Sequence, residues 1–301
     1  MISPGMAVHL HKVTGERTPM NRKWSTRFAI CLVAVSVASA RRAGDSLKPG
    51  FNLFSKDQDV QLGKENAQEV LKQYEVVQNQ SLQDYIRRVG DRLAAAPEAR
   101  DSGFQFTFTL LNVQQVNAFA LPGGPMFIFT GLFKPTDNEA QLAGVMAHEM
   151  SHVILRHGTH ESSKANLIQI PAKLAAAATG SSLLGQLAQA GLGLTANSFI
   201  LKFSRDAESE ADALGSHMMA EAGYNPIEMA RFFEKLAAGG SQGPQFLSDH
   251  PNPGNREKAI EEEVRTLPQH QYGYQTGGFE RAKAEILKLP APSKKNTAPQ
   301  P

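Results

Sequence analysis

Two histidines and a glutamate stand at a spacing that suits metal chemistry. His148, Glu149 and His152 match the pattern H-E-x-x-H. On a helix, residues four apart share one face, so both imidazoles can reach a single Zn²⁺. Glu149 would then lie beside the metal, where its carboxylate can take a proton from a water molecule. The chemistry indicated is hydrolysis of a peptide bond, with two nitrogen ligands and a general base.

The residues before this motif favour a buried helix. Residues 140–147 read AQLAGVMA, with apolar side chains at helical spacing and small residues between them. Asp137 or Asn138 could cap the start of the helix, with Gln141 in a capping-box-like contact. Ionisable groups on such a helix are costly to bury unless a partner satisfies them, and a metal would satisfy the histidines. The alternative is a partly exposed helix whose histidines have ordinary hydrogen-bond partners.

A catalytic zinc site usually has three protein ligands, so a third donor is needed. One zinc-peptidase spacing places a histidine ten residues after His148, but this position is Gly158. The acidic stretch 204–215 offers Glu208 and Asp212, which are four apart and share a helical face. Glu208 could bind the metal, and Asp212 could accept a hydrogen bond from the far nitrogen of a ligand histidine. The alternative is a solvated acidic face, the usual fate of a charge run.

Four motifs in order resemble the M-forty-eight metallopeptidases, which include HtpX-like membrane proteases and BepA-like and LoiP-like periplasmic proteases. The motifs are the Asn-Ala-Phe segment at 117–119, H-E-x-x-H at 148–152, the acidic pair at 208–212 and the His-Pro segment at 250–256. Together they span roughly residues 50–265. The resemblance implies that Glu208 is the third ligand, that Asp212 orients a ligand histidine, and that His250 and Arg256 lie close to the metal.

The histidines outside the motif receive separate interpretations. His250 and Arg256 are candidates to stabilise the oxyanion that develops on the scissile carbonyl. His250 could instead occupy the open metal position in a resting enzyme, or belong to a structural His-Pro turn. We interpret His157 as the end of the metal-binding helix, where a positive charge suits the helix dipole. The remaining histidines after the leader are interpreted as surface or packing residues: His160, His217 and His270.

The periodicity predicts an α+β fold, mostly helical, and the resemblance implies that it is of the zincin type. Alternation of apolar and polar residues predicts strands at 104–108, near 110–116 and at 126–130. We interpret the last strand as the edge of a small sheet that lines the active-site cleft and accepts an extended substrate backbone. Its alternative is an interior strand with no free edge. Substrate-binding residues are predicted just before it, at Asn117, Ala118 and Phe119.

Residues 1–40 have the layout of a secretory signal peptide. Basic residues up to Arg27 precede an uncharged stretch at 28–40 that ends in Ala-Ser-Ala. The stretch is short for a membrane span, although an uncleaved anchor helix is the alternative. A start at Met20 would give a signal of ordinary length. We expect residues 41–289 to form a single metallopeptidase domain, and the Pro- and Lys-rich residues 290–301 to be a disordered tail.

Composition narrows the functional classes. The chain has 301 residues, 41% hydrophobic, and a net charge of +2, which gives no indication of nucleic-acid binding. Its one cysteine, Cys31, lies in the predicted leader. The exported chain would then have no cysteine, which excludes disulfides and cysteine nucleophiles. It also argues against a purely structural zinc site, because such sites usually have four protein ligands, often cysteine.

These observations predict an endopeptidase with one Zn²⁺ per chain. Its expected substrates are unfolded or misfolded proteins of the bacterial envelope, and its expected location is the periplasm. Peripheral association with the membrane or with outer-membrane assembly machinery is a further expectation. The alternative from a different functional class is a chaperone-like binder of unfolded outer-membrane proteins with little or latent proteolysis.

Overall fold

The computed structural model of the protein describes residues 42–177, 202–239, 245–268 and 271–292, with side chains except at 168–177. The predicted leader at 1–40 and nearly all of the predicted tail at 290–301 lie outside the described residues. From Ala43 onward, the described residues belong to one compact unit. This unit is mostly helical with one small sheet, which confirms the predicted α+β class.

The helices and strands follow one another with short connections. The helices are α1 Lys56–Gln73, α2 Gln80–Ala94, α3 Pro97–Asp101, α4 Glu139–Ile154, α5 His157–Ala177, α6 Arg205–Glu221, α7 Ile227–Ala238, α8 Gln245–Asp249, α9 Arg256–Val264 and α10 Phe279–Ile286. The strands are β1 Thr107–Leu111, β2 Ala118–Ala120 and β3 Pro125–Phe129. In the part of the chain that the structure describes, none of the helices combines the length and apolar character needed to cross a membrane.

The sheet has the order β1-β3-β2, with β3 parallel to β1 and antiparallel to β2. Our interpretation of the strand at 126–130 as the edge is therefore wrong, because β3 is the interior strand. Its side chains are apolar throughout because Met126 and Ile128 enter the main core, while Phe127 and Phe129 enter a second cluster under α1. The edge next to α4 is the short strand β2. The strands predicted at 104–108 and 110–116 correspond to the single strand β1.

Helix α4 lies at the centre of the fold. All but two of its 16 residues are buried, and it packs against α6, α7 and β2. The Asn138 side chain caps its start by accepting a hydrogen bond from the backbone N–H of Gln141, at 3.0 Å. The Gln141 side chain accepts in turn from the backbone N–H of Asp137. A helix that is apolar on all sides requires cover on all sides, and these neighbours supply it.

A buried carboxylate fixes the first turn of α4. Glu139 accepts hydrogen bonds from the hydroxyls of Tyr85 and Tyr224, each at 3.0 Å, and from the hydroxyl of Thr276 at 2.7 Å. Burial and the Glu139 carboxylate raise the pKa of both tyrosines, so both hydroxyls remain donors at neutral pH. The negative charge also suits the N-terminal end of the helix dipole. Three separate parts of the chain are thereby joined to the start of the helix that carries the motif.

Close packing of α4 against α7 predicts a cost for any side chain at Gly144. A Cβ built at Gly144 would lie 2.7 Å from Met229 Cβ, whereas one at Gly158, on α5, would meet nothing within 4 Å. We expect Gly144→Ala to lower the free energy of unfolding by about 1–3 kcal/mol because of overpacking. Gly158→Ala should leave it unchanged or raise it by up to about 1 kcal/mol. Urea denaturation of both variants is the measurement, and equal stability would contradict the packing described.

Candidate metal centre

Four buried side chains from three parts of the fold converge beside α4. His148 and His152 come from α4, Glu208 from the first turn of α6, and His250 directly follows α8. Each offers one ligand atom, and these atoms all lie within 4.8 Å of one another. The predicted spacing explains the first pair, since residues four apart on a helix face the same way. The packing of α6 against α4 adds the carboxylate.

The protons on His148 follow from its partners. Its Nδ1 lies 3.0 Å from an oxygen of Asp212, and an ionised carboxylate only accepts hydrogen bonds. Nδ1 therefore carries the hydrogen, and Nε2 presents a lone pair. That Nε2 lies 3.1 Å from Nε2 of His152 and 3.3 Å from Oε2 of Glu208. The arrangement agrees with the orienting position expected for Asp212.

The convergent atoms fit a divalent cation. Lone pairs on two imidazole nitrogens and a carboxylate repel one another at these distances unless a positive charge lies among them. Glu208 Oε1 is also 3.6 Å from His152 Nε2, so the carboxylate faces both rings. Two nitrogen donors and one oxygen donor are the set found in many catalytic metal sites.

The electrostatics of the cluster reflect burial opposed by close charges. Burial alone would raise the pKa of Glu208, but His250 and His148 outweigh it and hold that pKa well below its usual value. Burial would lower the pKa of His148, but Glu208 and Asp212 outweigh burial and raise it. For His152, burial and the neighbouring His148 both act in one direction and lower the pKa. His152 therefore remains neutral, as a metal ligand must be.

Arg256 supplies the positive charge behind the carboxylates. Its Nε is 2.7 Å from Asp212 and one terminal nitrogen is 3.0 Å from Glu208. The guanidinium lies over the ring of Phe233, 4.2 Å from its centre, and the residue is buried. Arg256 thus lies close to the ligands, as expected. Its contacts position the two carboxylates, and it does not stand where the predicted oxyanion role would require.

Glu149 lies on the open side of the cluster. Burial raises the pKa of Glu149 to about 7. Its Oε1 has no hydrogen-bond partner among the described residues and lies 3.2 Å from Nε2 of His250. The backbone of Ala120, in β2, hydrogen-bonds to the same carboxylate. A carboxylate with a pKa near neutrality and an unsatisfied oxygen is suited to proton transfer.

His250 contacts both the ligands and the base. Its Nδ1 is 3.1 Å from Glu208 and 3.2 Å from Nε2 of His148, and its ring stacks on Phe246 with centres 4.6 Å apart. The side chain is buried in the cleft, which both of its predicted roles require. A plain His-Pro turn on the surface is wrong for this residue.

The predicted substrate-binding residues are divided by the structure. Asn117 is buried, and its side chain binds Asp249 and the backbone N–H of Ala118. Phe119 packs against Phe127 and Phe129, on the sheet face that lies under α1. Their side chains therefore hold the strand in place and do not face the metal ligands.

The backbone of β2 does face the site. Hydrogen bonds join Phe129 N to Asn117 O and Leu121 N to Pro125 O. In an antiparallel pair, hydrogen-bonded positions alternate, so the backbone groups of Ala118 and Ala120 point away from β3. Among the described residues no strand pairs with this side of β2.

Two neighbours of His152 were not predicted as site residues. His157 does not end the metal-binding helix, since α4 ends at Ile154 and His157 begins α5. It is buried, and its Nδ1 lies 2.9 Å from Nδ1 of His152. Phe203 stacks on the His152 ring, with ring centres 4.0 Å apart. A signal for His157 was present in its spacing after the motif, but the spacing does not reveal the turn between the helices.

Comparisons with known proteins agree with this geometry. Residues 80–264 match the model of Peptidase family M48, and the match includes every residue of the cluster. The chain is 34% identical to the Beta-barrel assembly-enhancing protease of Yersinia pestis, over 67% of this chain and 43% of that protein. It is 33% identical to the protein of the same name from Escherichia coli strain K12, over 66% and 42%. The Mitochondrial metalloendopeptidase OMA1 of Schizosaccharomyces pombe is 31% identical, over 70% and 63%. The chain spans about half the length of the curated relatives it matches.

The buried ion pairs of Arg256 predict a large loss on its removal. In metal-free protein, Arg256→Met leaves Glu208 and Asp212 without their shared cation, and we expect a loss of about 3–5 kcal/mol in the free energy of unfolding. Arg231→Met is the matched control, because Arg231 pairs with Glu228 at the exposed surface. Its loss should be below about 1 kcal/mol. Chemical denaturation measures both, and similar losses would contradict the role given to Arg256.

Proposed function

This chain belongs to Peptidase family M48, and on that premise we propose that it is a zinc-dependent endopeptidase that cleaves unfolded or misassembled envelope proteins. The family is one of metallopeptidases, so a metal and peptide-bond hydrolysis come with membership. The observation that carries the finer proposal is the cluster of His148, His152 and Glu208 beside Glu149 and the outward-facing backbone of β2.

We propose that one Zn²⁺ per chain is held by His148, His152 and Glu208. Two imidazoles and a carboxylate form a common ligand set of catalytic zinc, which keeps one position for water or substrate. When bound, the metal polarises the scissile carbonyl and increases the acidity of water. Asp212 holds the His148 ring in the tautomer that leaves Nε2 free to bind. Arg256 holds both carboxylates in place from behind.

The proton transfers belong to Glu149. Its carboxylate takes a proton from the attacking water and delivers it to the nitrogen of the leaving amine. The pKa of about 7 allows both steps near neutral pH, and the hydrogen bond from the backbone of Ala120 fixes the carboxylate beside the edge strand. His250, 3.2 Å from Glu149, is our candidate to stabilise the oxyanion; occupying the fourth metal position at rest is its other proposed role.

The form of the cleft supports an unfolded substrate. Ala118 and Ala120 direct backbone groups away from β3, where an extended chain can pair with β2 by β-augmentation. Main-chain pairing reads no side chain, so it suits a protease with varied substrates. A segment that is already folded has its own backbone groups paired, and it cannot add to the edge.

Location and partners are proposed from the leader and the relatives. The basic and apolar residues at 1–40 favour export to the bacterial periplasm. Relatives named Beta-barrel assembly-enhancing protease suggest unfolded outer-membrane proteins as substrates and a peripheral association with their assembly machinery. These proposals concern the whole protein, and the chain covers only part of each relative.

Removal of the base tests the enzyme against the chaperone-like binder. We expect Glu149→Gln to lower cleavage of an unfolded protein such as casein by about 10²- to 10⁴-fold, because the amide cannot accept the proton. Bound metal should be unchanged, and Glu161→Gln, on the exposed side of α5, should retain full activity. Cleavage by neither wild type nor variant, with equal suppression of aggregation, would support the binder.

Removal of single ligands tests the metal assignment. We expect Glu208→Ala to lose both metal and activity, because two imidazoles alone hold zinc poorly. His250→Ala should retain the metal while its activity changes: a decrease fits the oxyanion role, and an increase fits the resting-ligand role. Metal content by mass spectrometry and cleavage of casein are the measurements. Retained zinc with full activity in Glu208→Ala would refute the third-ligand assignment.

A further inference from the structure

His157 contacts the metal-ligand pair from the side opposite the cleft. The residue is buried, with Nδ1 2.9 Å from Nδ1 of His152 and Nε2 3.1 Å from a carboxylate oxygen of Glu210. Glu210 lies on α6, two residues after Glu208, and is partly exposed. The three side chains thus form a line from the metal centre to the protein surface.

One arrangement of hydrogens satisfies this line. The Glu210 carboxylate accepts only, so Nε2 of His157 carries a hydrogen, and Nδ1 of the neutral ring is an acceptor. Nδ1 of His152 then donates to it, which leaves a lone pair on Nε2 of His152. That Nε2 is the atom that lies 3.1 Å from Nε2 of His148. The hydrogen-bond line and metal binding therefore require the same tautomer of His152.

The connection between α4 and α5 brings His157 to this place. Five residues along an uninterrupted helix correspond to a rotation of about 140° around its axis, which would direct His157 away from His152. Arg156 instead adopts a left-handed conformation, with φ at 57°, and α5 begins directly after it. Its guanidinium binds Asp59 and the carbonyl of Phe54, each at 2.6 Å. These contacts offset the cost of a left-handed residue with a Cβ.

We propose that His157 is a positioning residue for the metal ligand His152. It fixes the tautomer and the ring orientation of His152 through Nδ1, and Glu210 fixes His157 in the same way. Its part resembles that of Asp212 toward His148, so each ligand of the helix has its own partner. This inference rests on the proposed metal-binding function and extends it to two residues outside the cluster.

The test measures zinc affinity of metal-free protein by competition with a chromophoric chelator. His157→Phe keeps a ring of similar size but removes the acceptor, and we expect affinity to fall about 10- to 100-fold. His157→Asn should recover most of it, because the amide oxygen can accept from Nδ1 of His152. Glu210→Gln should lose less than His157→Phe, since its amide oxygen can still accept. His160→Phe is the matched control, one turn along α5 with its ring bound to the carbonyl of Phe51.

Two further readouts distinguish positioning from a merely structural role. The visible spectrum of bound Co²⁺ should shift in His157→Phe and not in His160→Phe, while the unfolding midpoints of the two metal-free variants should agree. If His157→Phe does not fold, the comparison of His157→Asn and Glu210→Gln with wild type decides. Wild-type affinity and cobalt spectrum in His157→Phe, or no recovery in His157→Asn, would overturn the inference. Absence of metal binding by the wild type would instead refute the proposed function.

Discussion

The structure depends on holding two carboxylates in its interior, one helical turn apart. Glu208 and Asp212 are both buried on α6, and unpaired charges in such a place would be very costly. They are tolerated because Arg256 binds both from one side and the His148 ring contacts both from the other. The elements that supply these groups, α4, α6 and α9, must therefore pack together for the chain to fold. The same packing defines the metal centre.

This coupling of stability and site explains how much could be predicted. The spacing of His148, Glu149 and His152 requires only a helix, and the apolar run before it identified that helix as buried. Glu208 and Asp212 share a face for the same local reason. Each of these predictions rests on the helical period. The structure shows the long-range step, the approach of α6 to α4, that the resemblance to a family had implied.

Other features depend on contacts that a local pattern does not contain. The run 126–130 is apolar because two cores lie on its two faces, and alternation alone does not tell an interior strand from an edge. The strand β2 has three residues, too short for a periodic signal. His157 was assigned to the wrong helix because the left-handed residue between α4 and α5 is an arginine, and the usual sign of such a turn is glycine. Arg256 was placed near the site correctly, but its partners decide which job it can do.

The length of β2 limits what the cleft can hold by itself. Three residues of strand extend over about 10 Å, enough for only a few backbone hydrogen bonds to a bound peptide. Each such bond contributes little net free energy in water, so single encounters should be brief. Cleavage would then compete with folding in time: a client that completes its own sheets quickly escapes, and one that stays open through many encounters is cut. A short edge would in this way make the enzyme sensitive to how long a chain remains unfolded.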